Sequence, residues 1–119
     1  MNDLAVLVSN SFGLTHISSR TVATLFRRRH DNVLQQIQNL LEEEILLPLQ
    51  CQANEYKDSI GRTLPMYLLT EAGFTVLVST YNLKTKEDKE LRKSIIKQFH
   101  EKQENTISQN RHLKEENAK

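Results

Sequence analysis

Three consecutive arginines, Arg27, Arg28 and Arg29, stand directly before a stretch in which Asn32, Gln35, Gln36 and Asn39 recur between apolar residues. Those residue types suit nucleic acid. Guanidinium groups bind phosphate oxygens and guanine edges, and the amides of Asn and Gln pair bidentately with adenine. At about 100° per residue, Asn32, Gln35 and Asn39 share one helix face with Gln36 at its edge. Val33, Leu34, Ile37, Leu40 and Leu41 fall on the other side. Arg20 adds a cation upstream, and Lys57 and Arg62 flank a turn further on. The same pattern also describes an ordinary amphipathic helix with a solvated polar side, and no glycine marks the turn before it.

The elements that must position these side chains follow from local signals. Ser18 or Ser19 can cap a short helix whose apolar face is Val22, Ala23 and Phe26. Residues 27–31 break that pattern before the second helix, which Pro48 is expected to stop. His30, if it already belongs to that helix, faces inward, where it either orders the turn or meets a ligand. Leu4 to Val8 and Leu14 to Ile17 read as paired strands across Ser11-Phe12-Gly13. Leu49 to Lys57 alternates, with Leu49, Cys51 and Ala53 toward the core. Asp58-Ser59-Ile60-Gly61-Arg62 is a turn in which Gly61 can take positive φ, and Leu64 to Leu69 returns. Arg62 can serve DNA or simply pair with Asp58. Thr70 caps a third helix carrying Phe74, Leu77, Val78 and Tyr81, where Gly73 implies close packing against a neighbour. After a polar loop over Asn82 to Lys86, a fourth helix runs from Glu87 to about Glu104 on Leu91, Ile95, Ile96 and Phe99.

Composition narrows the class. At 119 residues with 38% hydrophobic content and a mean hydropathy of −0.54, the chain supports one small core. It has no apolar run near the roughly 20 residues of a membrane helix. Its N-terminus lacks the basic region of a signal peptide. Cys51 is alone, so there is no disulfide framework and a reducing compartment, the cytoplasm, is expected. The net charge is only +1. Within the first 50 residues, however, all the bases are arginines between positions 20 and 29, and Glu42-Glu43-Glu44 lies at the far helix end. His16, His30, His100 and His112 show no metal-ligand spacing, and the glycines form no phosphate loop. No cofactor or catalytic constellation is expected.

In order, Ile17-Ser18-Ser19-Arg20-Thr21-Val22-Ala23, then Arg29-His30-Asp31-Asn32-Val33-Leu34 and Ile37, resemble the N-terminal half of the phage regulatory protein Rha family. Tyr56, Asp58, Gly61-Arg62, Pro65, Tyr67, Leu69-Thr70, Gly73-Phe74 and Leu77-Val78 continue the likeness, which covers roughly residues 15 to 102. It implies a bacteriophage or prophage regulator, grouped with antirepressor-type domains, built on a small α+β or winged-helix-like DNA-binding unit.

The expected protein is therefore an α+β domain with a helix-turn-helix, two short hairpins and C-terminal helices. Residues 1–105 form the regulatory unit and 106–119 a helical extension that frays. Its expected function is phage transcriptional regulation through double-stranded DNA, as a homodimer in the bacterial cytoplasm. Arg20, Arg27, Arg28, Arg29, Lys57 and Arg62 would take phosphates, and Asn32, Gln35, Gln36 and Asn39 would meet base edges. The alternative is an antirepressor that captures a phage repressor protein without touching DNA.

Overall fold

A computed structural model describes residues 7–11 and 14–118, with side chains described for 7–10 and 15–102. In chain order the elements are β1 (Ser9–Ser11), β2 (Leu14–Ser18), α1 (Ser19–Leu25), α2 (His30–Glu42), a 3-10 turn (Pro48–Gln50), β3 (Cys51–Lys57), β4 (Thr63–Leu69), α3 (Glu71–Ser79) and α4 (Lys86–Ala118). The result is an α+β domain of four helices on a four-stranded antiparallel sheet ordered β1-β2-β4-β3. Leu69 of β4 is the hinge of that sheet, pairing with Ile17 on one side and Cys51 on the other.

Two serine/threonine caps start helices as the sequence predicts. Ser18 Oγ accepts from the Thr21 N–H at 3.1 Å, and Thr70 Oγ1 from the Gly73 N–H at 3.2 Å. Each satisfies an otherwise free donor of the first turn. The helix ends hold a different device. Arg27 (φ 57°) follows α1 and Glu44 (φ 61°) follows α2, both in the left-handed region. Behind them the Arg28 N–H donates to the Ala23 carbonyl at 2.8 Å and the Ile45 N–H to the Leu40 carbonyl at 3.0 Å. This closure normally recruits glycine. Here an arginine and a glutamate take the strained position, so no glycine marks either end.

Three sequence expectations need correcting. α2 is stopped by the turn at Glu44, well before Pro48, which instead opens the 3-10 turn. Leu49 lies in that turn and is 90% exposed, and Ala53 is exposed too, while Leu46 fills the core position. Past Cys51 no β3 residue is buried: Asn54 and Tyr56 are half-buried and the rest exposed, so the face expected from alternation is not covered. The first strand begins at Ser9: of the expected Leu4–Val8 strand, residues 4–6 lie outside the described residues. The Leu7 and Val8 N–H groups instead donate to one acceptor on α4, Gln98 Oε1, at 2.9 and 3.0 Å.

The core lies between the sheet base and the helices. Val33, Ile37 and Leu40 of α2 are buried together with Phe74, Leu77 and Val78 of α3, while Leu34 is half-buried. Phe74 sits between Phe26 and Phe99, at ring separations of 6.3 and 6.2 Å. Gly73 explains itself: a Cβ there would overlap the carbonyl oxygen of Gln50, which also accepts from the Thr70 N–H at 3.0 Å. The backbone of α4 is helical through Ala118, beyond the expected limit near Glu104, and among its described side chains Ile95 and Phe99 are buried. No described helix is long and apolar enough to cross a membrane.

Candidate nucleic-acid interface

The turn between α1 and α2 carries the arginine triplet, and each member has a separate partner. Arg27 Nη2 lies 3.1 Å from Asp88 at the start of α4. Arg28 donates to the Tyr81 carbonyl at 3.2 Å and stacks over the Tyr81 ring at 4.0 Å. Arg29 pairs with Asp31 at 3.0 Å. The pairs of Arg27 and Arg29 leave those side chains 68% and 78% exposed. Exposed pairs of this kind are worth about 0–1 kcal/mol, so an incoming phosphate displaces little. Arg28 is the anchored one, since its stacking partner is a buried ring whose phenol is pushed up to about 12 by burial, against the opposing pull of Arg28.

Arg27, Arg28, Arg29, Asn32, Gln35 and Gln36 line one open cleft of ≈ 520 Å³. The fold thus brings together six of the sequence-nominated residues. Asn32, Gln35 and Asn39 are exposed on α2, with the Gln35 Nε2 donating to Asn39 Oδ1 at 3.0 Å. Gln36 is half-buried at the edge, reaching Thr80 Oγ1 at 3.4 Å. Two exposed residues on that face escaped the sequence reading. Gln38 lies one helical step from Gln35, and Asp31 sits at the helix start, its Oδ1 accepting from the Asn32 N–H at 2.9 Å. Counting polar residues against the buried positions 33, 37 and 40 would have found both.

Arg20 and the hairpin residues lie apart from this cleft but are tied to it through one junction. The Arg20 guanidinium stacks 3.7 Å above the Tyr56 ring of β3, and the His30 ring is 6.0 Å from the same tyrosine. Ser19, fully buried, accepts from the Tyr67 N–H at 3.0 Å and contacts His30 Nε2 at 2.9 Å. Since that oxygen already accepts, its own proton suits the lone pair of a neutral imidazole. Burial, then the charge of Arg20, lowers the His30 pKa, with Asp31 opposing. His30 therefore belongs to α2 and orders the turn, locking α1, α2 and the hairpin base together. Arg20 also lines a second cleft of ≈ 300 Å³ with Ser18, Thr21 and Thr24, a cation among hydroxyls on the face of α1.

The hairpin tip is organised by Asp58. Its Oδ1 accepts from the Ile60 and Arg62 N–H groups at 3.0 and 2.8 Å, and its Oδ2 from Arg62 Nε at 2.7 Å. Desolvation works to raise this carboxyl, but the bonds from Arg62, Ile60 and Gly61 outweigh it and its pKa lies below the ordinary value. Gly61 takes φ 86°, as the turn requires. Arg62 is 67% exposed despite its pair, and Lys57 Nζ donates to Thr63 Oγ1 at 2.7 Å. Cys51 is buried, and burial raises its thiol pKa, which suits packing rather than nucleophilic chemistry.

At its other end α2 presents a different surface. Ile45, Leu47 and Leu49 are 56%, 50% and 90% exposed, directly after Glu42-Glu43-Glu44.

The comparisons with known proteins bear on this arrangement. The family described as phage regulatory protein Rha matches residues 17–104, a span from Ile17 of β2 into α4 that includes both helices, the hairpin and the arginine turn. An uncharacterised protein of Haemophilus influenzae (strain ATCC 51907 / DSM 11121 / KW20 / Rd) is 35% identical over 103 residues, covering 83% of this chain and 53% of that protein. The chain thus spans about half the length of this curated relative. No solved structure matches. With the family match covering the whole of the two-helix and hairpin core, the chain belongs to the phage regulatory protein Rha family.

Proposed function

We propose that this protein is a phage or prophage transcriptional regulator that binds double-stranded DNA through α1 and α2, used as a helix-turn-helix in the bacterial cytoplasm. The observation that carries the reading is the single cleft in which three arginines meet the exposed amides of α2. In this mode the N-terminal part of α2 enters a major groove, where Asn32, Gln35 and Asn39 address base edges. Arg27, Arg28 and Arg29 hold phosphates at the groove mouth, Arg20 holds one from α1, and Lys57 and Arg62 approach the backbone from the hairpin. The face is not uniformly basic: Asp31 and Glu42 share it, so affinity per copy is modest and a homodimer doubles the contacts.

A second reading has its own observation. The exposed Ile45, Leu47 and Leu49 lie at the end of α2 away from the arginines and beside acidic residues, where phosphate is repelled. An antirepressor that captures a phage repressor would use that end.

Fluorescence anisotropy separates the two. The protein is titrated against a labelled 30-bp duplex across a salt series. The DNA reading expects affinity that falls steeply with salt, and Arg29→Ala flattens the log–log slope by roughly 0.9. Asn32→Ala, Gln35→Ala or Asn39→Ala then costs roughly 1–3 kcal/mol on a selected duplex and little on random sequence. Absence of binding at low salt, with capture of a phage repressor that Leu49→Asp abolishes, establishes the second reading instead.

A further inference from the structure

The hairpin tip carries one feature that phosphate binding leaves unused. Ile60 is 74% exposed at the apex of the β3–β4 turn. Single exposed apolar residues are common on protein surfaces, but this one stands at the tip of a hairpin between two cations. Here the turn holds it out. Ile60 donates its own N–H to Asp58 Oδ1, Arg62 closes the same carboxylate from the other side, and the Gly61 N–H donates to the Asp58 carbonyl at 3.0 Å. The presentation is rigid, and Lys57 and Arg62 flank it. A fixed apolar point between two cations fits a polyanion with an apolar interior, which is the chemistry of stacked bases behind phosphates.

Position agrees with chemistry. Tyr56 packs against His30, the first residue of α2, and against Arg20 of α1. The hairpin therefore leaves the body beside the helix end that the DNA reading puts in the major groove. Ile60 lies four residues beyond Tyr56, at the apex of the turn that Asp58 closes. With the start of α2 in a major groove, the tip is left beside it, toward the flanking phosphates and minor groove.

Resting on the DNA reading above, we propose that Ile60 is a wedge that enters the minor groove between adjacent base pairs and bends the duplex, while Lys57 and Arg62 grip the phosphates on either side. Aliphatic side chains inserted in this way partly unstack one base step and kink DNA by about 20–90° toward the major groove.

The test uses the full-length protein and a 30-bp duplex labelled at its two ends with a donor and an acceptor dye. Energy transfer reports the bend and anisotropy reports affinity. The wild-type protein is expected to raise energy transfer on binding. Ile60→Ser is expected to abolish that rise and to weaken binding about tenfold or more, since burial of the isoleucine side chain is lost. Its salt slope stays unchanged, because no charge is removed. Ile60→Leu, which keeps an apolar wedge, restores most of both signals. Ile60 is exposed, so both variants should melt with the wild type. If Ile60→Ser binds and bends the duplex as the wild type does, or if the wild type binds without bending it, the wedge is refuted and the DNA reading stands. If the wild type binds no duplex at low salt, both fall together.

Discussion

Gly73 shows how much one side chain can be forbidden. Helix propensity favours alanine over glycine by about 1 kcal/mol, so Gly73→Ala in an open helix would stabilise. Here the new methyl meets the carbonyl of Gln50, a backbone atom held by the Thr70 N–H. Overpacking costs about 1–3 kcal/mol, and a backbone neighbour puts this case at the upper end. Gly73→Ala should lower the melting temperature, read by circular dichroism. Glu44 is the opposite case. Left-handed backbone costs an ordinary residue about 1–2 kcal/mol, partly offset by the added freedom glycine gives the unfolded chain. Glu44→Gly should raise the melting temperature by a few degrees and leave DNA affinity unchanged. His30 supplies a pH dependence. Its folded pKa lies below the ordinary 6.5, so in acid the unfolded chain takes up a proton that the folded ring resists. Stability contributed by the neutral ring is full above pH 6.5 and declines as pH falls toward the folded value. Urea midpoints between pH 7.5 and 5.5 should show this decline, and His30→Gln should flatten it. The caps at Ser18 and Thr70 were legible because each is decided within a few residues, and a glycine inside a helical pattern announced close packing at Gly73 without naming Gln50 as the neighbour. The left-handed Arg27 and Glu44 were not, since no residue type announces them.

Among the elements, α2 was the most legible. Its buried residues recur every three or four positions, and Val33, Ile37 and Leu40 are buried as that period demands. Ile37→Ala should cost about 2–5 kcal/mol by leaving a cavity between α2 and α3, measured by chemical denaturation. The end of α2 misled because a proline six residues on is a louder signal than a glutamate in a strained turn. The β3–β4 hairpin misled for a different reason. Alternation of residue types predicts a face but not whether anything covers it, and beyond Cys51 no β3 side chain is buried. The arginine turn was legible as a cluster. That Arg27 answers to Asp88 of α4 and Arg28 to Tyr81 after α3 depends on contacts more than fifty positions away, which spacing cannot supply.

For the molecule as a whole, the four-stranded order of the sheet needs long-range information of the same kind: Ile17 pairs with Leu69 across α1, α2 and the hairpin. α4 completes the domain from the far end of the described chain. Phe99→Ala should cost about 3–5 kcal/mol, measured by chemical denaturation. Gln98 makes the dependence concrete. One amide oxygen receives the Leu7 and Val8 N–H groups across a separation of 91 positions. A ribosome adds roughly 5–20 residues per second, so those 91 positions take roughly 5–18 s to make. During that interval Val8, and Phe74 once it is made, lack the helix that carries their partners Gln98 and Phe99. A chain in that state exposes apolar surface of the kind chaperones and proteases recognise, and the core is complete only when synthesis of α4 has brought Gln98 and Phe99 out of the ribosome.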